Sequence, residues 1–259
     1  MFTFLHAIVL GLVEGVTEFL PISSTGHMIL AANLMHISET DFVKSFEIII
    51  QLGAILAVLA LFWKKLLTNA KIFLRVAVAF IPTAIIGLLL YKVVKHYLLG
   101  SVSVVVWSLL IGGIALIIFE KLHKDKIGSD DTTLELESIT YKQALVIGLC
   151  QSVAIIPGVS RSAATIVGGL LLGISRAAIV EFSFMLAVPT MAAATLLDLI
   201  KGGFSFSGSE MSMLLVGMIV AFVSAILAIK FLIRFVKNNS FTRFGIYRIA
   251  IAFVFLFVI

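Results

Sequence analysis

The chain has 259 residues, of which 61% are hydrophobic and only 13% charged, with a formal net charge of +5. Soluble domains carry about 45–50% apolar and about 25% charged residues, so this composition excludes a water-soluble enzyme or binding module and makes lipid the expected solvent. The basic residues lie in short loops between apolar runs, a distribution that fits membrane topology signals and not a nucleic-acid surface. Cys150 is the lone cysteine, which excludes an intramolecular disulfide and a cysteine-built metal site. A cleaved signal peptide is not expected, because the N-terminus lacks a basic region and its apolar stretch is interrupted by Glu14 and Glu18.

In chain order, the first apolar segment (about residues 4–35) is broken near its middle by Leu20-Pro21-Ile22-Ser23-Ser24-Thr25-Gly26-His27. Proline removes a backbone donor and glycine favours a turn, so the segment reads as helix–loop–helix, with halves too short to cross about 30 Å of hydrocarbon. Full spans are predicted over about 42–62, 71–91 and 101–120. A hydrophilic connector follows, Lys121–Thr140, whose Asp125, Asp130, Asp131, Glu135 and Glu137 suggest a solvated loop. The second broken segment (about 143–174) is interrupted by Ile156-Pro157-Gly158-Val159-Ser160-Arg161-Ser162, and three more spans are predicted over about 177–200, 211–233 and 243–259.

The two broken segments resemble each other. Ala7-Ile8-Val9-Leu10-Gly11-Leu12 aligns with Ala144-Leu145-Val146-Ile147-Gly148-Leu149 at an offset of about 137, which also brings Glu14 onto Gln151, Val16 onto Val153 and Ser23 onto Ser160. Each is followed by three spans. An odd number reverses direction, so two re-entrant hairpins would enter from opposite faces and meet near the midplane. The predicted fold is an all-α polytopic membrane protein of six transmembrane helices and two re-entrant helix–loop–helix hairpins in an inverted-topology repeat. It forms a single membrane domain over 1–259, with repeat 1 at about 1–120, a connector at about 121–140 and repeat 2 at about 141–259. One face receives Lys64, Lys65, Lys71, Lys121, Lys124, Lys126, Lys142, Arg176, Arg234, Lys237 and Arg243, and the other mainly Lys44, Lys92, Lys95 and Lys201. The positive-inside rule makes the first face cytoplasmic, placing both termini and the first hairpin outside.

Glu14 and Glu18 are four residues apart and share a helix face. Two acids at membrane depth repel each other unless a proton or cation is shared, so they are candidates for proton transfer or for holding a divalent cation such as Mg2+ or Ca2+. A structural pair satisfied by neighbouring helices is the plain alternative. Ser23, Ser24, Thr25, Gly26 and His27 gather three hydroxyls, a glycine and an imidazole just before a helix begins, which suits an anion, although the hydroxyls could merely cap the helix. His27 could act as nucleophile, general acid or general base. In the second hairpin, Ser160, Ser162 and Thr165 supply hydroxyls, and Arg161 a permanent cation whose planar fork matches phosphate. Arg161 needs an anion, either Glu14 or Glu18 or a diphosphate. Glu47 and Gln51 share a face and could complete the pocket, whereas Glu181 is expected to pair with Arg176.

The run Glu14-Gly15-Val16-Thr17-Glu18-Phe19-Leu20-Pro21-Ile22-Ser23-Ser24-Thr25-Gly26-His27, with Pro157-Gly158-Val159-Ser160-Arg161-Ser162-Ala163-Ala164-Thr165, closely resembles the bacterial undecaprenyl-diphosphatase family linked to bacitracin resistance. The resemblance extends through Phe46–Gly53, Phe182–Pro189 and Phe244-Gly245-Ile246-Tyr247-Arg248; Ala163 stands where the family is expected to have glycine. It implies hydrolysis of undecaprenyl diphosphate to undecaprenyl phosphate and inorganic phosphate, which recycles the lipid carrier for cell-wall synthesis. It also implies a bacterial inner-membrane location with an outward-facing site. Its functional residues fall on Glu14, Glu18, Ser23, Ser24, His27, Ser160, Arg161 and Thr165. In this reading Arg161, Ser160 and Ser162 clamp the diphosphate, with Ser23, Thr25, Gly26 and Thr165 around it. Ser24, His27 or a water attacks phosphorus, and Glu14 and Glu18 move a proton or hold the cation. A transporter or flippase of the carrier is the rival reading, because broken helices in inverted repeats also build transporters. A structural or partner-binding protein would leave the buried charges unexplained. A homodimer is compatible with the sequence, and nucleic acid is not an expected partner.

Overall fold

The helices begin where the sequence supplies caps. In the computed structural model, which describes residues 2–38, 40–98, 101–123, 135–202 and 206–258, Thr3 and His6 form a capping box ahead of α1 (Phe4–Thr17), and Thr140 and Gln143 form another ahead of α6 (Tyr141–Ser152). Such reciprocal bonds satisfy backbone donors that a helix start leaves open. The short helices α2 (Ser24–Leu34) and α7 (Arg161–Leu171) complete the two broken segments. With 11 to 14 residues each, the four half-helices reach about 16–21 Å. Five others are long and apolar enough to cross a membrane: α3 (Asp41–Thr68), α4 (Ala70–Val93), α5 (Val102–Leu122), α8 (Arg176–Gly202) and α9 (Gly208–Val236). The protein is thus a multi-pass membrane protein, all-helical and without a sheet among the described residues. The sixth predicted span is α10 (Thr242–Val258), whose 17 residues reach about 26 Å, slightly less than the hydrocarbon thickness.

The offset seen in the sequence governs the backbone of the hairpins. Phe4 to Tyr141 and Ser24 to Arg161 are both shifts of 137, as are the capping residues Thr3 to Thr140. Ser23 and Ser160, one offset apart, precede the second half-helices with positive φ of 73° and 75°, and His36 and Gly173 leave those helices with φ of 51° and 77°. Packing follows the same pairing. α1 lies against α9 and α6 against α4, each through a glycine: a Cβ on Gly11 would fall 2.5 Å from the Gly217 carbonyl, and one on Gly148 would fall 2.0 Å from the Ala79 carbonyl. In lipid, helices associate by close van der Waals approach, which small residues permit. The largest apolar core joins the first tip (Phe19, Leu20, Ile22) to α3, α7, α8 and α9.

Two expectations are corrected at the ends of the helices. The tail of the connector is only partly a solvated loop: Glu135 and Glu137 are exposed as expected, but Leu136 and Ile139 are buried in the main core beside a single 3-10 turn, Leu136–Ser138. Asp125, Asp130, Asp131, Lys124 and Lys126, and the side chains of Lys95 and Lys201, lie outside the described residues. Glu181 does not pair with Arg176. It accepts from Lys65 Nζ at 2.6 Å, while Arg176 donates Nη1 and Nη2 to the two oxygens of buried Glu120 at 2.6 and 2.9 Å. Five residues apart on one helix, Arg176 and Glu181 point about 140° apart, whereas Glu120 at the end of α5 presents its carboxylate plane to the guanidinium. Glu120 also accepts from the Phe241 amide at 3.0 Å, so one acid fastens α5, α8 and the turn before α10. Replacing Glu120 by alanine strands a mostly buried guanidinium, a change that costs about 3–5 kcal/mol in comparable buried pairs. Thermal unfolding in detergent should show the loss, with kcat per folded molecule unchanged.

Candidate active site

The two tips meet because their backbones and side chains are tied across the repeat. Ser162 Oγ, one residue into α7's first turn, donates to the Phe19 carbonyl at 2.8 Å. Arg161 reaches the same tip, with Nε and Nη2 at 3.4 and 3.3 Å from Glu18 Oε1. Between the tips lies a cavity of about 80 Å³ lined by Glu18, Ser23, Ser24, Thr25, Ala154, Ile156, Pro157, Gly158, Ser160 and Arg161. That volume has room for a few water-sized groups, and its lining combines hydroxyls, the start of two helices, one acid and one guanidinium.

Helix α2 starts earlier than the sequence suggested. Ser24, Thr25, Gly26 and His27 already occupy its first turn, with Ser23 as N-cap, and α7 starts equivalently at Arg161 after Ser160. This places free N–H groups of both helix starts at the cavity, the arrangement that favours phosphate. Ser160 Oγ caps its own helix by accepting from the Ala163 amide at 3.2 Å, whereas Ser23 makes no such side-chain cap. Left-handed backbone at a residue other than glycine costs about 1–3 kcal/mol and survives where the surroundings enforce it, commonly at functional sites. Here it occurs at the same position of both tips.

Glu18 and Ser24 form the closest polar contact in the cavity, with Ser24 Oγ donating to Glu18 Oε2 at 2.5 Å. Glu18 thus divides its oxygens between a hydroxyl and Arg161. Arg161 is supported from behind, because Nη1 donates to the Ser183 carbonyl at 2.8 Å. Thr165 Oγ1 lies 2.6 Å from Ser183 Oγ and 3.0 Å from the Arg161 carbonyl. Thr165 and Ser162 are therefore committed to protein groups and do not line the cavity. Gly26 packs on Leu109 and Val105 of α5 and does not line it either.

His27 stands behind this group with both ring nitrogens engaged. Nδ1 lies 2.7 Å from the Ser23 carbonyl and Nε2 2.9 Å from the Tyr247 hydroxyl. A carbonyl only accepts, so Nδ1 carries a proton, and in the neutral ring Nε2 accepts from Tyr247. Glu14 is buried one turn before Glu18, within electrostatic reach of Glu18, Glu47 and Arg161, and its Oε1 has no hydrogen-bond partner. Glu14, Glu47 and Gln51 do not line the cavity. Among the described residues no group of three or more His, Cys, Asp or Glu side chains converges as a metal set. Both Glu18 oxygens are already bonded, so a divalent cation at the acid pair would need phosphate oxygens to fill its shell.

Three contributors were not singled out from the sequence as site residues: Ser183, Tyr247 and Arg248. Ser183 is one small hydroxyl in a long apolar helix and carries no signal. Tyr247-Arg248 does carry one, a polar pair inside an apolar span, but its direction cannot be read without the neighbouring helices.

Comparison with known proteins identifies the family. The chain is 51% identical to the undecaprenyl-diphosphatase of Bdellovibrio bacteriovorus, with 99% of this chain and 96% of the relative covered. It is 51% identical to that of Aquifex aeolicus (96% of each chain covered) and 52% identical to that of Wolinella succinogenes (97% and 96%). The bacitracin resistance protein BacA family matches residues 7–254, which include both tips and all of the cavity lining, and the chain belongs to that family.

Proposed function

We propose that this chain is a membrane phosphatase that hydrolyses undecaprenyl diphosphate to undecaprenyl phosphate and inorganic phosphate. The observation that carries the reading is the placement of a hydroxyl, a carboxylate and a guanidinium, Ser24, Glu18 and Arg161, at one cavity between two helix starts. Phosphoryl transfer needs charge neutralisation and an in-line nucleophile, and these groups supply both. The terminal phosphate enters the cavity and takes Arg161 from Glu18. The amides at the start of α2 and α7, with Ser160 and the hydroxyls of Ser23 and Thr25, bind the remaining oxygens. Released from the ion pair, Glu18 accepts the Ser24 proton as Oγ attacks the terminal phosphorus. The bond from that phosphorus to the bridging oxygen breaks, and undecaprenyl phosphate leaves. Glu18 then gives that proton up to solvent, takes one from a water as the water attacks the phosphoserine, and returns it to Ser24 Oγ as the phosphorus–Oγ bond breaks and inorganic phosphate is released.

Ser24 is favoured over His27 as nucleophile because it lines the cavity with its proton already directed at a carboxylate, whereas neither nitrogen of His27 is available. His27 instead holds the Ser23 carbonyl and thereby the tip. Glu14 sits behind Glu18 as a reserve acid for the proton, or for a cation bridging to phosphate oxygens. Glu18→Gln keeps the shape but removes the base, and kcat should fall by about 100- to 10,000-fold.

The constant offset of the hairpins and the matched pairings of α1 with α9 and α6 with α4 support an inverted repeat with six crossing helices, α10 included, and two re-entrant hairpins. With Lys64, Lys65, Lys71, Lys121 and Lys142 facing the cytoplasm, the termini and the cavity mouth lie on the outer side of the bacterial inner membrane. Purified full-length protein given C55 diphosphate tests the activity. Release of inorganic phosphate is the expected outcome, and movement of the carrier between leaflets without phosphate release would replace a phosphatase by a transporter.

A further inference from the structure

A second arginine lies deeper than Arg161 and has no role in the scheme above. Arg248, in α10, is fully buried. Its five N–H donors meet five backbone carbonyls: Nε that of Leu109 at 3.4 Å, Nη1 those of Pro21 and Val159 at 3.4 and 2.9 Å, and Nη2 those of Ser108 and Gly158 at 2.9 and 3.0 Å. Pro21 belongs to the first tip, Gly158 and Val159 to the second, and Ser108 and Leu109 to α5. Every donor of the guanidinium is thus used, and all five partners are dipoles. A charge buried at membrane depth is costly and is ordinarily matched by an acid. Here it is offset by backbone carbonyls of α5 and of the two tips that form the cavity.

The surroundings are shaped for this side chain. A Cβ on Gly112 would lie 2.2 Å from Nη2 of Arg248, and the backbone of α5 and α10 closes around Gly113 and Gly245, where a Cβ on either would fall within 2.8 Å of the other's carbonyl oxygen. The second tip is pressed onto the same helix: Gly158 has φ of 89°, and a Cβ there would meet the Val105 carbonyl at 2.8 Å. The adjacent Tyr247 holds His27, which holds the Ser23 carbonyl. One turn of α10 therefore grips both tips, directly by Arg248 and through His27 by Tyr247.

We propose that Arg248 is a positioning residue for phosphoryl transfer: by binding carbonyls of both tips it fixes Ser24 of one hairpin in register with Ser160 and Arg161 of the other. It touches no substrate. The inference rests on the reading of the cavity as the diphosphate site. Its consequence is selective. Misplacing a nucleophile by about 1 Å costs on the order of 100-fold in rate, while the clamp that binds the substrate stays present in each tip. Lysine retains the charge but has three donors on one nitrogen, and cannot span five carbonyls.

The test measures phosphate release from C55 diphosphate by full-length Arg248→Lys and Arg248→Gln proteins, with kcat expressed per folded molecule. Both are expected to lose about 100-fold in kcat with KM changed less than about threefold, and added guanidinium should restore part of the rate to Arg248→Ala. Wild-type kcat in folded Arg248→Lys would overturn the proposal, as would a rise in KM at unchanged kcat, which would assign Arg248 to binding. If the Arg248 variants do not fold, Gly112→Ala pushes on the guanidinium itself, whose Nη2 and Cζ would lie 2.2 and 2.9 Å from the added Cβ, and retains the charge. The same kcat-selective loss is expected there, and an undiminished kcat overturns the proposal. Wild-type protein that releases no phosphate would remove the reading of the site itself, whereas active wild type with undiminished variants removes only the positioning role.

Discussion

Ser24→Ala should reduce kcat for phosphate release by about 10,000-fold or more, the scale seen when a hydrolase loses its nucleophile. The hydroxyl lines the cavity with a base in contact, Glu18 Oε2 at 2.5 Å. Substrate binding should persist, because Arg161, Ser160 and the helix starts are untouched, so KM is expected to move little. Ser24 occupies the first turn of α2 and its side chain bonds only to Glu18 among the hydrogen bonds described, so its removal leaves the fold intact. A phosphorylated Ser24, trapped by acid quench and found by mass spectrometry, would identify the covalent step directly. Wild-type turnover in Ser24→Ala would remove the nucleophile assignment and leave attack to a water held by Glu18.

Arg161→Ala should abolish binding and turnover together, lowering kcat/KM by about 1,000- to 100,000-fold, the range an arginine contributes to a phosphoryl transition state. Two features make this larger than the loss of a surface cation. The side chain is the one guanidinium lining the cavity, and it is held from behind by the Ser183 carbonyl and by Thr165 through Ser183. Arg161→Lys should recover little, because an ammonium cannot contact Ser183 and bidentate phosphate oxygens at once. Deleting Arg161 also frees Glu18, which keeps its bond to Ser24, so a folded but inactive protein is expected by gel filtration. Turnover near wild type in Arg161→Ala would sink the clamp. Combined with the Arg248 variants, the kinetics separate two arginines: one whose loss raises KM and lowers kcat, and one whose loss lowers kcat alone.

The contrast between these residues shows how far local sequence carries. Arg161 was identifiable because it interrupts an apolar segment next to serines and a proline-glycine turn, all within a few residues. Arg248 was equally anomalous in its span, yet its partners are dipoles on three other segments, and backbone carbonyls have no sequence signature. His27 illustrates the reverse. Its residue type and neighbours offered it as a nucleophile, but a carbonyl four residues back and a tyrosine 220 positions away occupy its nitrogens.

Composition and local pattern suffice for the solvent, the helical class, the positions at which two segments break, and the offset that pairs Ser23 with Ser160. These follow from composition and from contacts within one or two helical turns, which the chain makes wherever it is placed. Which acid meets which base is set by packing between segments far apart in the chain. Glu18 and Arg161 are separated by 143 positions, Arg248 and Pro21 by 227, and Arg176 passed over Glu181 on its own helix for Glu120. Such pairings depend on how glycine-faced helices approach one another in lipid, an outcome of packing that no local pattern encodes.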